Sequence, residues 1–254
     1  MLKPGRTIFL PLQLTNHVIA NKLYKPFGLL VYLKFNCSGK IQINTADFDR
    51  IGKELRKSGR TIRNNLKKLL ELNWVGYNPK SKYYFVRSFG KIMQMFGFKT
   101  KSYAEFEEKD ILLVKDFVFA AGIGQMINTQ IRNKRKKIAA THQGVINIAK
   151  LPTIQDSLSF PISNLAASKC LNISKSGASK LKKQTSLSGF IKVQHSYKKT
   201  PFDVSYIHLF KAGNPEIAHC VAVEGGKVAI MMPDMVSHKI RFKTRGFVSV
   251  FKLN

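Results

Sequence analysis

The sequence predicts an α+β protein built from two helical units, each closed by a β-hairpin, joined by a helical segment and followed by a β-rich C-terminal extension. Three observations carry this. Apolar residues recur at spacings of three and four in two separate stretches, around 46–72 and 161–187, and each stretch runs on into residues that alternate. The longest apolar run, Ile111 to Ile127, lies between them. The tail from Glu216 alternates about Gly225-Gly226, a hairpin dipeptide. At 254 residues, 44% of them hydrophobic, the chain can build two cores, and the expected limits are 1–102, 103–150 and 151–254.

After an extended start, Asn16 is placed to cap a helix carrying Val18, Ile19 and Leu23, and Pro26 opens a second helical stretch through Leu33. Cys37 to Gly39 end it. Lys40 to Ile43 alternates as a short strand, after which Thr45 or Asp47 caps a helix over about 46–56 with Phe48, Ile51 and Leu55 on one face. A break at Lys57, Ser58 and Gly59 leads to a third helix that turns Ile62, Leu66, Leu69, Leu70 and Leu72 inward and leaves Arg60, Thr61, Arg63, Asn64, Lys67 and Lys68 on its other faces. Trp74 to Tyr77 predicts a strand, Asn78 to Ser81 a turn, and Tyr83 to Val86 the returning strand.

The stretch "IGKELRKSGRTIRNNLKKLLELNWVGYNPKSKYYF", Ile51 to Phe85, resembles the winged helix-turn-helix superfamily at nearly every structural position. It departs at Asn73, where the family usually has glycine; asparagine tolerates the same left-handed conformation. Phe89 to Phe98 has no firm period, and Tyr103 to Asp110 is the only acidic cluster; both are expected to lie between domains. The helix from about 110 to 140 then runs into Arg132, Lys134, Arg135, Lys136 and Lys137, a phosphate-binding block or a solvated helix end that suits the macrodipole. A second stretch, "NLAASKCLNISKSGASKLKKQTSLSGFIKV", resembles another copy of the motif. Here Ile162, Leu165 and Ala166 face inward, Ser174 caps the second helix and Gly189 stops it, but the core register slips by one residue near Leu181. Phe190 to Gln194 and Val204 to Leu209 are expected to pair around a polar tip, and Phe247 to Phe251 alternates once more.

Charge narrows the partners. Against 43 Lys and Arg stand 14 Asp and Glu, a net charge of +29, so a polyanion is the expected ligand. Cys37, Cys170 and Cys220 show no Cys-x-x-Cys spacing, which argues against a zinc ribbon or a disulfide framework and for a cytoplasmic setting. Lys115 and Asp116 interrupt the longest apolar run, and it falls short of the ~20 residues of a membrane span, so no membrane partner is expected.

The resemblance implies that the second helix of each pair enters the major groove of double-stranded DNA. In the first unit it makes Arg60, Thr61, Arg63 and Asn64 the base readers, Lys67 and Lys68 phosphate contacts, and Lys80, Lys82 and Arg87 wing contacts. In the second it points to Lys175, Ser176, Ser179, Lys180, Lys182 and Lys183, with Lys198 and Lys199 on the wing. Two such domains in a basic chain resemble the replication initiators of iteron-bearing plasmids; a transcriptional regulator, or a nonspecific coating or virion-packaged protein, would use the same charge. Homodimer formation is left open.

Catalysis finds little footing. Tyr83 and Tyr84 lack the His-x-His motif of a DNA-nicking site, and the six histidines (His17, His142, His195, His208, His219 and His238) are scattered. Ala121 to Gly124 is too short for a dinucleotide loop, and no phosphate-cradling GxxxxGK[ST] occurs. The expectation is a non-enzymatic protein without metal, cofactor or small-molecule ligand.

Overall fold

A computed structural model describes residues 5–99, 102–141 and 159–244, with the backbone alone for residues 135–141 and 244. The class is α+β, and the chain divides into two compact units. One takes the described residues up to Gln125 with Leu171–Ile173 and the strand at Phe242–Thr244; the other takes those from Met126 to Cys170 and Ser174–Lys239.

The first unit opens with β1 (Thr7–Pro11), α1 (Leu12–Ala20) and α2 (Tyr24–Asn36). Pro26 sits in the first turn of α2, where its missing N–H costs nothing. That helix is apolar nearly all round and buries Phe27, Leu29, Leu30, Val31, Leu33 and Phe35, which makes it the centre of the unit's core. Next come β2 (Lys40–Ile41), α3 (Thr45–Glu54), α4 (Gly59–Glu71), β3 (Val75–Asn78), β4 (Tyr83–Val86) and α5 (Phe89–Met95). The three strands form an antiparallel sheet in the order β2-β4-β3.

Several boundaries differ from expectation. Asn16 lies inside α1 rather than capping it, and Asn44 caps α3 through a reciprocal capping box with Asp47. The acidic stretch expected between domains is instead β5 (Ser102–Glu107), the middle strand of a sheet with β1 and β10 (Phe242–Thr244). Its alternation hides behind charge: Ala104 and Phe106 are fully buried while Glu105 and Glu107 point the other way. A 3-10 turn, Glu108–Leu113, leads into α6 (Val114–Thr141), whose first half buries Phe117, Val118, Phe119, Ala120, Ala121 and Ile123. Among the described residues no helix is long and apolar enough to cross a membrane.

The second unit repeats an order already met. Strand β6 (Phe160–Pro161) precedes α7 (Asn164–Leu171) and α8 (Lys175–Leu187), and β7 (Ile191–Asp203) and β9 (Lys227–His238) follow. The sheet order is β6-β9-β7, so the short leading strand again lies beside the last one. The expected strand at 204–209 is a 3-10 turn (Val204–Tyr206) running into α9 (Ile207–Gly213); the partner of β7 is β9. The hairpin at Gly225-Gly226 holds as expected, both glycines at positive φ, and joins β8 (Val221–Glu224) to β9. Residues 247–251 lie outside the described residues.

Candidate nucleic-acid interface

Helices α3 and α4 are joined by a tight turn whose geometry comes from four residues. Arg56 takes a left-handed conformation (φ 52), and a Cβ on Gly52 would sit 2.6 Å from the Lys57 carbonyl oxygen, so only glycine lets the turn fold back so closely. Ser58 then caps α4: its hydroxyl oxygen accepts from the Thr61 N–H at 3.2 Å. At the other end Asn73 (φ 56) closes the helix in a left-handed conformation.

Between these caps α4 has two faces. Ile62, Leu66 and Leu69 are buried, while Arg60, Arg63, Asn64 and Lys67 are exposed along one stripe. The Arg63 guanidinium lies over the Phe48 ring of α3, 5.0 Å from its centroid, which limits its wandering. Lys68 is exposed and pairs with Glu71 at 3.0 Å, a surface contact of small energetic weight. Thr61 stands apart from the other expected readers, because its hydroxyl lies 2.9 Å from that of Ser58 within the cap.

The α7–α8 pair follows the same template at one constant offset in residue number, that from Ser58 to Ser174. Ser174 caps α8 by accepting from the Gly177 N–H at 3.0 Å. Asn172 (φ 52) matches Arg56, and Gly189 (φ 78) matches Asn73. The same shift carries buried Ile51, Leu55, Ile62, Leu66, Leu69 and Val75 onto buried Ala167, Leu171, Ala178, Lys182, Thr185 and Ile191. It carries the stripe Arg60, Arg63, Asn64 and Lys67 onto Ser176, Ser179, Lys180 and Lys183, all exposed. Lys175, in the first turn of α8, is exposed as well.

This register corrects two expectations. Ala167 and Leu171, rather than Leu165 or Ala166, are the buried residues of α7, and Leu165 is half exposed. Lys182, expected on the outward face, is 4% exposed at the position of Leu66. Its ammonium donates to the Ile162 carbonyl at 2.8 Å and to Asp234 Oδ2 at 2.9 Å, so it is committed inside the unit. The other oxygen, Asp234 Oδ1, lies 2.8 Å from His195 Nδ1. Burial would raise the Asp234 carboxyl, but the hydrogen bonds from Lys182 and His195 outweigh it and hold it below the ordinary carboxylate range.

At the first hairpin, Asn78 Oδ1 accepts from the N–H groups of Lys80 (2.9 Å) and Ser81 (3.3 Å), shaping a turn that leaves Lys80 and Lys82 exposed. Arg87 is not at this tip. It is half-buried past the end of β4 and donates to Asn73 Oδ1 at 2.6 Å, tying the hairpin base to the end of α4. In the second unit Lys198 and Lys199 are exposed on β7, opposite Ile230 and Ala229. Arg132 and Lys134 are exposed on α6; Arg135, Lys136 and Lys137 continue that helix, their side chains outside the described set.

Sequence reasoning passes over Arg56 and Lys57, both exposed in the α3–α4 turn. Their signal was position: cations in the turn of a helix pair flank whatever the second helix meets. Among the described residues no three His, Cys, Asp or Glu are grouped to hold a metal ion. Comparison with protein-family models, curated proteins and solved structures finds no match to this chain.

Proposed function

We propose that each helix pair with its strands is a winged helix-turn-helix unit, and that the chain is a non-enzymatic double-stranded DNA-binding protein of the replication-initiator or regulatory kind, from a mobile element, phage or bacterium. One observation carries this reading: two helix pairs with the same caps, turn conformation and strand order each present the same four positions of their second helix to solvent, in a chain of net charge +29. The two faces divide the work. Arg60, Arg63 and Asn64 have the forked and amide groups that bridge guanine or adenine edges, while Ser176, Ser179, Lys180 and Lys183 add phosphate contacts and orientation. Arg56 and Lys57 join Lys67, Lys68, Lys80 and Lys82 on the backbone.

Selection of the full chain against random duplexes, followed by sequencing and titration, tests the proposal. A site preferred over random duplex by roughly 10³-fold or more is expected. Arg63→Ala should then lose about 1–3 kcal/mol at one or two base pairs, whereas Lys82→Ala should weaken all sequences and reduce the salt slope by about one. Equal loss on selected and random duplexes for Arg63→Ala would overturn base reading. Nonspecific coating, which the charge also favours, is the reading left if no sequence is enriched; a repeated directional motif would favour initiation, and a palindrome regulation.

A further inference from the structure

The β2-β4-β3 sheet has a second face that the α4 reading does not use. Val75 and Val86 pair across β3 and β4 and are buried, and strand alternation puts Tyr77, Tyr84 and Ile41 on their side. The opposite side carries Lys40, Phe85 and Gly76 in one cross-strand row, with Tyr83 next along β4. Tyr83 is 37% exposed and Phe85 half-buried.

Gly76 is the anomaly. Glycine weakens a strand, and this one is required neither by its backbone, which has no positive φ, nor by crowding: no atom lies within 4 Å of where its Cβ would be. An aromatic ring often leans over a cross-strand glycine and makes up for its missing side chain. Phe85, directly opposite, does not do so, since its ring would then fall inside that radius. The ring instead has the Lys40 ammonium 5.7 Å from its centroid. The result is an aromatic ring with an open flank over a bare strand, a second ring two residues along, and the Lys40 cation beside it.

We propose that this face binds single-stranded nucleic acid, with an unpaired base entering over Gly76 to stack on Phe85, a neighbouring base on Tyr83, and the phosphate between them on Lys40. The chemistry suits bases of any sequence, since every base has a π-face. The proposal goes beyond duplex binding and uses other residues, so either can fail alone.

The test is titration of labelled oligothymidylate and oligouridylate with the full chain and with Gly76→Val, Phe85→Leu and Arg63→Ala. Valine suits a strand better than glycine, so Gly76→Val should melt no lower than the parent while closing the flank. It should weaken single-strand binding by about tenfold, the scale of one lost stack, and leave duplex affinity unchanged. Phe85→Leu should do the same, and Arg63→Ala the reverse. The ratio of the two oligomers tells whether DNA or RNA is preferred. Parent-like single-strand affinity for Gly76→Val, equal loss on single and double strands, or no single-strand binding by the parent would overturn the proposal. A parent that ignores duplexes but binds single strands in a Gly76-sensitive way would sink the duplex reading alone.

Discussion

The α3–α4 and α7–α8 pairs agree in backbone and disagree inside. Both have a serine cap, a left-handed residue in the turn and another past the second helix, yet the first buries Ile62, Leu66 and Leu69 where the second buries Ala178, Lys182 and Thr185. Caps and special conformations are therefore what the two units share, and the core is what varies. The energetic consequence is uneven. A buried leucine contributes about 1.5–3 kcal/mol, whereas a buried ion pair roughly breaks even against its desolvation. The second helix pair is held less by apolar burial and more by the demand that Lys182 keep its partners.

The widest separation of the two pairs should come from breaking that ion pair. Lys182→Leu restores the residue type of the first unit but leaves the part-buried Asp234 carboxylate with His195 as its remaining side-chain partner, and should destabilise the second unit by about 1.5–3 kcal/mol. Adding Asp234→Leu should recover most of the loss, because the pair as a whole is near neutral. The chain's single tryptophan, Trp74, lies in the first unit, so its fluorescence should report an unchanged transition while the helical circular dichroism signal reveals the early one. Equal destabilisation by the single and double variants would show that Lys182 is held by the Ile162 carbonyl rather than by Asp234.

How much of this was legible in the sequence follows the same divide. The first unit was readable nearly to the residue from Ile51 to Val86, since its inward face is wholly apolar and its breaks fall on Ser58 and Asn73. The second was readable in its caps, Ser174 and Gly189, but not in its register. A lysine at a core position has no periodic signature, and the acid that neutralises it is a strand residue far along the chain. The slip near Leu181 was the visible trace of that substitution. Strand β5 was hidden for a related reason, its exposed side being acidic enough to pass for a linker. The segment of α9 reads as a strand in the sequence because a short apolar helix and a short apolar strand share composition. Of the expected DNA-contacting residues, Lys182 is buried in its unit, and Arg87 lies at the hairpin base rather than its tip; neither burial nor a hydrogen bond to Asn73 can be inferred from local spacing.

A smaller effect should separate the helix ends. Gly189→Ala places a Cβ at φ 78 and should cost about 1–2 kcal/mol, while Asn73→Gly relaxes a residue already at φ 56. Asn73 also accepts from Arg87, so its replacement removes one exposed hydrogen bond and should nearly cancel that relaxation. Urea midpoints of the two variants would measure this. A larger loss for Asn73→Gly than for Gly189→Ala would mean that the Arg87 contact, and not the backbone conformation, closes the first unit.

The smallest expected effect is one of pH near neutrality, and it belongs to His17 of the first unit. Beside Trp74, whose counterpart by the shared offset is Phe190, stands His17, with ring centroids 6.5 Å from Trp74, 4.6 Å from Phe96 and 5.7 Å from Phe98. Burial among these rings lowers the His17 pKa from 6.5, because the charged form loses water without gaining an acid. The unfolded chain therefore takes up the proton first as pH falls. The contribution of His17 to stability is complete above 6.5 and declines as pH drops from there through the lowered folded value. Urea unfolding followed by Trp74 fluorescence should show this decline in the parent and a shallower one in His17→Phe, which keeps an aromatic ring but cannot titrate. Identical pH slopes in the two proteins would mean that the ring is hydrated enough in the folded state to carry its charge, and that the aromatic cluster is looser than its centroid distances imply.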